Sequence, residues 1–269
     1  MMNDAINTGA RAEVTGASAV VHEAARDTPV YGEFDVVVIG GGPAGLMAAT
    51  AAARAGRSTI LVERYGFLGG AGTMGGLSTF CGLHAKVHGE HRQVIHGLAD
   101  ELLGRLAKLD GLSQPHLTIN DGILAQAFDI SSYKLAADEL VVSSGARLLF
   151  HAMAVGVVMA DDATIDSVLI ESKSGRAAVR GRVFVDASGD GDVAAWSGVP
   201  YEKAPPGEWL LYPSLMFRIN GVDVEAAGPA PWRTVERLMD DAEAAGTHTF
   251  PRKKPIVRPQ RNPWSGAPT

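Results

Sequence analysis

At 269 residues, 46% hydrophobic and 20% charged, the chain is long enough to bury a sizeable core in one or two domains and has the composition of an ordinary globular protein. A net charge of −6, with no cluster of Lys and Arg in the body of the chain, excludes nucleic acid as a main partner. The single cysteine, Cys81, excludes an internal disulfide framework and suits a reducing cytoplasm, while residues 1–30 hold no apolar run of signal-peptide or membrane length and read as a poorly ordered arm.

The first predicted element is a strand, Asp35 to Ile39, a short Val- and Ile-rich run of the kind buried on both faces of a parallel sheet. Gly40, Gly42 and Gly45 follow at once as GxGxxG, and a helix is predicted from Pro43 to about Ala55. In this pattern the first glycine permits the tight turn and the second lets a pyrophosphate approach bare backbone; the third lets the helix sit close on the sheet. Pro43 falls in the first helical turn, where a missing N–H costs nothing, and the positive end of the helix dipole suits phosphate. A second strand is expected over Ser58 to Val62. Glu63 closes it 18 residues after Gly45, where a carboxylate accepts hydrogen bonds from an adenosine ribose. Strand, glycine turn, helix and acid in register point to a dinucleotide site; the bland reading is a glycine turn kept for packing.

Seven glycines, Gly66, Gly69, Gly70, Gly72, Gly75, Gly76 and Gly82, crowd the next stretch. That much glycine costs conformational entropy and is most easily explained where backbone passes close to a ligand. The run FDVVVIGGGPAGLMAATAAARAGRSTILVERYGFLGG resembles the bacterial FAD-dependent oxidoreductase family, with a nucleotide-binding fold of the glutathione-reductase type. The resemblance implies Gly40, Gly42, Pro43, Ala44 and Gly45 at the FAD pyrophosphate, Glu63 at its ribose, and Arg64, Gly69 and Gly70 beside the cofactor. It covers roughly residues 23–262.

His84, His88, His91 and His96 come next, in a span that contains Gly89 and no apolar periodicity and so reads as a loop. A metal site is not expected there; surface or pocket-lining histidines are. Cys81 sits among apolar and glycine neighbours, where a thiol is more often packing than chemistry. Gly97 to Leu109 carries leucines at helical spacing and is an amphipathic cover helix, and a second helix is expected over Ser131 to about Ser144, ended by Gly145. Strands are predicted near 147–151, 153–160, 165–172 and 177–180, with a final buried strand over Arg182 to Asp186. By resemblance the middle three form the antiparallel meander that interrupts the nucleotide fold, with backbone at Ala154 and Val155 facing adenine.

The run VFVDASGDGDVAA is similar to a second signature of the same family, placing Gly189 and Asp190 near the cofactor; Asp190 or Asp192 is alternatively the N-cap of the following helix. PYEKAPPGEW reads as a linker, LYPSLMFRINGVDVE as an extended apolar stretch in which Tyr212, Met216 and Arg218 line a substrate side, and Thr234 to Ala245 as a helix. Residues 251–269 hold five prolines, five Lys or Arg and no acid, and read as an extended tail. Family members usually return from the substrate domain to add a last strand and helix, so the chain reads as truncated at its C-terminus.

The expected fold is thus α/β: a nucleotide-binding domain of the glutathione-reductase type over 31–200 with a meander insertion, a partial substrate domain over 201–250, and the tail. The expected function is FAD-dependent oxidoreduction of a small molecule, with an unidentified electron partner and no membrane association. His84, Cys81, His88 and Arg218 are the candidates for catalysis. A nicotinamide-only dehydrogenase, a truncated nucleotide-binding protein without redox chemistry, and a flavin-folded enzyme of another reaction type, such as a thiazole synthase or a tRNA-modifying flavoprotein, are the rivals.

Overall fold

The computed structural model describes residues 21–117, 123–204, 214–219, 221–228 and 231–250. The first strand, β1, runs Val30–Ile39, and its alternation separates two cores: Val38 faces one side of the sheet, Val37 and Ile39 the other. Helix α1, Pro43–Arg54, returns the chain to β2, Thr59–Val62, which lies parallel to β1 with Val36 opposite Thr59 and Ile39 opposite Val62.

Between β2 and the next helix the chain builds small antiparallel pieces: β3, Thr79–Phe80, then β4, His84–Val87, and β5, Glu90–Gln93. The histidine span is therefore a hairpin and not a loop, with His84 opposite Gln93 and Lys86 opposite His91. Its turn residues His88 and Gly89 both have positive φ, +50° and +87°, the mirror-image geometry that matches strand twist. Sequence periodicity missed it because polar residues occupy both faces.

Helix α2, Leu98–Lys108, buries Leu102 and Leu106 as the leucine stripe requires, and the Asp100 carboxylate accepts from the Gly97 N–H at 3.0 Å to close its first turn. Strands β6, His116–Leu117, and β7, Leu124–Ala127, join β3 in a three-stranded sheet ordered β3-β7-β6. Helix α3, Ile130–Ser144, is capped by Asp129, whose carboxylate accepts from Ser132 N at 2.7 Å, and ends at Gly145 as expected. Ser132 serves that cap only through its N–H, and its hydroxyl is buried without a partner.

The main sheet closes with β8, Arg147–Leu149; β9, Ala152–Met159; β10, Ile165–Ser172; and β11, Gly175–Asp186. Its order is β8-β2-β1-β11-β10-β9, parallel from β8 to β11 and antiparallel beyond. The two strands expected at 177–180 and 182–186 are one. Gly181 does not break it, because both halves of β11 pair with β1 and the glycine admits the Val37 side chain, whose Cγ2 would lie 2.6 Å from a Cβ. The meander is therefore continuous with the parallel sheet, giving an α/β fold with one mixed sheet. Helices α1, α2 and α3 cover one face through Leu46, Leu106, Tyr133 and Leu140; the other face is packed by Ile60, Val168, Ile170, Val179 and Val193.

Short helix α4 spans Asp192–Trp196. Beyond residue 204, Ser214–Ile219 forms no strand, α5 covers Val224–Ala227, and α6 covers Pro231–Ala244, matching the predicted helix but burying no residue fully. Tyr212 and residues 251–269 lie outside the described residues, as do residues 1–20 of the expected arm.

An ion-pair network ties the three helices together. Arg54 of α1 donates to both Glu101 oxygens at 2.7 and 2.8 Å, and Arg105 donates to Glu101 at 3.0 Å and to the Ser143 hydroxyl of α3 at 3.0 Å. The Arg54 guanidinium, then that of Arg105, lowers the Glu101 carboxyl from 4.5 to about 2. A depressed folded-state value contributes stability that is complete above 4.5 and is lost as pH falls toward about 2. Glu101→Gln is expected to melt below the parent at neutral pH, with the gap narrowing across that acid window in thermal denaturation.

A second expectation concerns Tyr133, wholly buried, with its hydroxyl unpartnered and pushed up to about 12 by burial. Its ring packs edge-on against Phe80 and Phe128 at 5.3 and 4.9 Å, so Tyr133→Phe keeps the packing and removes only the orphaned hydroxyl. The variant should gain about 1 kcal/mol in denaturant unfolding.

Candidate functional site: a glycine-turn cradle at the carboxyl end of the sheet

Three loops converge where β1, β2 and β11 end, the edge at which open parallel sheets bind ligands. The β1–α1 turn is held from both sides: Gly40 N donates to Val62 O at 2.9 Å, and Ala187 N donates to Ile39 O at 2.8 Å. Gly40 has φ +97°, and a Cβ there would overlap the Ala187 carbonyl, so the two sequence signatures meet at this residue. A Cβ at Gly45 would overlap the Gly40 carbonyl oxygen; its absence lets α1 close against the turn.

Gly42 is different. It is the N-cap of α1, at φ −70°, and a Cβ there would meet nothing nearer than Gly70 Cα at 3.9 Å. No side chain caps α1, no acid stands in its first turn, and Pro43 and Ala44 are exposed. The head of the helix is bare main chain carrying the positive end of the dipole.

Glu63 lies across the turn, not away from it. One carboxylate oxygen accepts from Gly41 N at 2.6 Å and the other from Tyr65 N at 2.9 Å, and the residue is 5% exposed. The second glycine loop docks on the first: Gly69 N donates to Gly41 O at 2.8 Å, and a Cβ at Gly70 would come within 2.7 Å of Gly42 Cα. Arg64 is exposed, its guanidinium 5.0 Å from the Tyr65 ring centroid.

The glycine crowding has a cause that sequence alone did not reveal. Places where a Cβ would sit are taken at Gly66 by the His151 ring and at Gly72 by the Tyr133 ring, and Gly75 lies on the Ala71 backbone. Much of that loop is glycine for packing against its own fold. His151, at φ +53° with its N–H donating to Tyr65 O at 3.1 Å, is one of the partners that sequence reasoning missed.

In the DASGDGD loop the capping work falls to residues other than those expected. Ser188 Oγ accepts from Gly191 N and Asp192 N, both at 3.1 Å, and Asp186 accepts from Ser188 Oγ at 2.6 Å and Ala194 N at 2.9 Å. Burial raises the Asp186 carboxyl, but the hydrogen bonds from Ser188 and from the Ala194, Ser188 and Val193 N–H groups outweigh it and leave it below the usual range. Asp192 goes the other way, raised by burial and by the charges of Asp190 and Asp186 against the opposing charge of Arg64. Neither Asp190 nor Asp192 caps α4, whose N-cap is Gly191. Gly189 and Asp190 are exposed, and nothing lies within 4 Å of where a Gly189 Cβ would be.

Val155 is the extra residue of a β-bulge: Leu169 pairs with Gly156 and Ile170 with Ala154. Its strand begins beside Glu63, whose carbonyl accepts from Ala152 N at 3.1 Å. The structure thus gathers Gly40, Gly42, Pro43, Ala44, Gly45, Glu63, Gly69 and Gly70 around one cradle, with Arg64 and the 186–192 loop at its rim. It does not assemble the candidates for catalysis in the same way. Cys81 follows β3 and is exposed, His84 is half-buried on β4, His88 is at the hairpin turn, and Arg218 is exposed on Ser214–Ile219. Among the described residues no three His, Cys, Asp or Glu side chains are grouped to hold a metal ion.

Residues 35–264 match the family described as FAD dependent oxidoreductase. The chain belongs to that family. FAD is therefore its cofactor, and the bare cradle at Gly42, with an uncapped helix end behind it, fits a diphosphate. Among curated relatives, a thiamine thiazole synthase of Archaeoglobus fulgidus is 28% identical over 258 residues, covering 91% of this chain and 88% of that protein. A thiamine thiazole synthase of Methanococcus vannielii is 32% identical over 146 residues, 53% of this chain and 48% of that one. The crystal structure of Thermovibrio ammonificans THI4 superposes with a TM-score of 0.41 at 19% identity, over 61% of each chain.

Proposed function

We propose that the protein is an oxidoreductase that exchanges a hydride or electron pair between a small-molecule substrate and FAD, in a nucleotide-binding domain of the glutathione-reductase type spanning residues 31–200. Residues 201–250 begin its substrate side. The observation that carries this reading is the bare main chain at Gly42, closed by Glu63 and stacked on Gly70, in a member of an FAD-dependent family.

In this reading the N–H groups of Ala44 and Gly45 and the backbone of Gly42, with Pro43 fixing the first turn, hold the diphosphate. Glu63 keeps lone pairs beyond the two already used and accepts from ribose hydroxyls. Arg64, Gly69, Gly70, Val155, Gly189 and Asp190 line the remainder. When bound, FAD supplies two-electron acceptor and donor chemistry, and the chain supplies orientation and exclusion of water. No described side chain is placed as an acid or base beside the cradle. The protein acts in the cytoplasm, and no helix among the described residues is long and apolar enough to cross a membrane.

The test is the visible spectrum of the purified chain and identification of the chromophore released on denaturation. Released FAD, with turnover of an artificial electron acceptor, supports the proposal; a colourless chain that fails to take up added FAD rejects it. The match to a thiamine thiazole synthase over most of both chains favours a second reading, thiazole formation, which a thiazole compound released with or without FAD would establish.

A further inference from the structure

Beyond the cradle the second glycine loop continues into apolar residues that face solvent. Met74 is 53% exposed and Leu77 46%. Their main chain is pinned to the docked part of the loop: Met74 N donates to Gly70 O at 2.9 Å and Leu77 N to Ala71 O at 3.0 Å. Gly70 itself is stacked on Gly42, so the position of these two side chains is fixed relative to the cradle by a short chain of backbone contacts.

A distant segment meets them. Met216 Cβ lies 3.1 Å from where a Cβ of Gly76 would be, which lays Ser214–Ile219 against this loop. That segment is open and presents three apolar side chains in a row, with Leu215 86% exposed, Met216 41% and Phe217 77%, followed by the exposed Arg218. Single exposed apolar residues are normal on a protein surface, whereas a contiguous group marks a binding surface. Methionine and leucine side chains adapt their shape to an apolar ligand. A ligand pocket is typically an apolar wall beside a few fixed polar anchors, and here the wall adjoins the bare turn.

We infer that Met74, Leu77 and Met216, with Leu215 and Phe217 at the rim, form the substrate wall, and that the substrate presents an apolar face to it. The inference rests on the proposed function and adds the substrate class. A second copy of the chain is the competing occupant, but the continuity of the wall with the cradle favours a molecule small enough to lie beside FAD.

The test uses the full chain loaded with FAD and the neutral dye Nile red as probe. Saturable dye binding is expected, accompanied by a shift in the flavin absorbance band. Leu77→Ser and Met216→Ser, both at exposed positions, should each weaken dye binding about tenfold while leaving FAD affinity unchanged. No saturable binding, or equal binding to parent and variants, overturns the inference. So does sedimentation showing a dimer that both substitutions dissociate, with dye bound only by the monomer. If the parent takes up no FAD, the proposed function falls and the substrate assignment with it. That result is read from the FAD titration alone and is distinct from a dye failure in loaded protein.

Discussion

Gly42→Ala is expected to fold normally and lose FAD, whereas Gly45→Ala is expected to lose the fold. The two glycines stand three residues apart in one turn, and their surroundings differ in kind. At Gly45 a methyl group would overlap the Gly40 carbonyl oxygen and lie 3.2 Å from Ala187 Cβ, so α1 must lift away from the sheet. Main-chain oxygen does not swing aside as a side chain does, and the cost should reach about 3 kcal/mol or more, a large share of the roughly 5–15 kcal/mol that holds a domain. At Gly42 the backbone is at φ −70°, open to any residue, and the nearest atom to an added methyl is 3.9 Å away. FAD-free Gly42→Ala should therefore melt with the parent or gain up to about 1 kcal/mol from reduced chain entropy. Its affinity for FAD should drop about a hundredfold, because the methyl stands where the diphosphate must approach. Thermal melts of the apo chains and flavin-fluorescence titrations separate the two effects. A Gly42→Ala protein that binds FAD like the parent removes the diphosphate from this turn.

That contrast also shows what the sequence discloses and what it withholds. The order strand, glycine turn, helix, strand was legible because each step is local: apolar Val36 to Ile39, three glycines at fixed offsets, proline in the first helical turn. The leucine stripe of α2 was legible for the same reason. Where the cause of a residue lies far along the chain, the sequence was silent. Gly66 is small because of His151 and Gly72 because of Tyr133, while Gly76 sits at φ +70° with Met216 against it. All three were attributed to a ligand on composition alone. The β4–β5 hairpin escaped because His-Gly forms its turn where Asn-Gly is the familiar signal, and because neither face is distinctly apolar. In the 186–192 loop the carboxylates drew attention, while Ser188 and Asp186 tie it to α4. The unbroken β11 was hidden by Arg180-Gly181-Arg182, a trio that reads as a turn until β1 is known to run alongside.

Glu63→Ala is expected to be the most damaging removal of a polar side chain at the cradle. The carboxylate is buried and accepts one main-chain N–H from each side of the cradle, Gly41 and Tyr65. Truncation leaves both donors without their acceptor at a largely buried position, and charge-assisted bonds of this kind are worth about 1.5–3 kcal/mol each. Allowing for partial rearrangement, the loss should be about 2–4 kcal/mol in denaturant unfolding. Glu63→Gln keeps the shape and one acceptor oxygen but turns an amide N–H₂ toward one of the two donors, so about half that loss is expected. FAD binding then distinguishes a ligand from a brace. If Glu63 also accepts from the ribose, the Gln variant binds FAD about tenfold more weakly even at temperatures far below its melting point, where the turn is fully formed. If its only role is to hold Gly41 and Tyr65, affinity in the Gln variant stays at the parental value until unfolding begins.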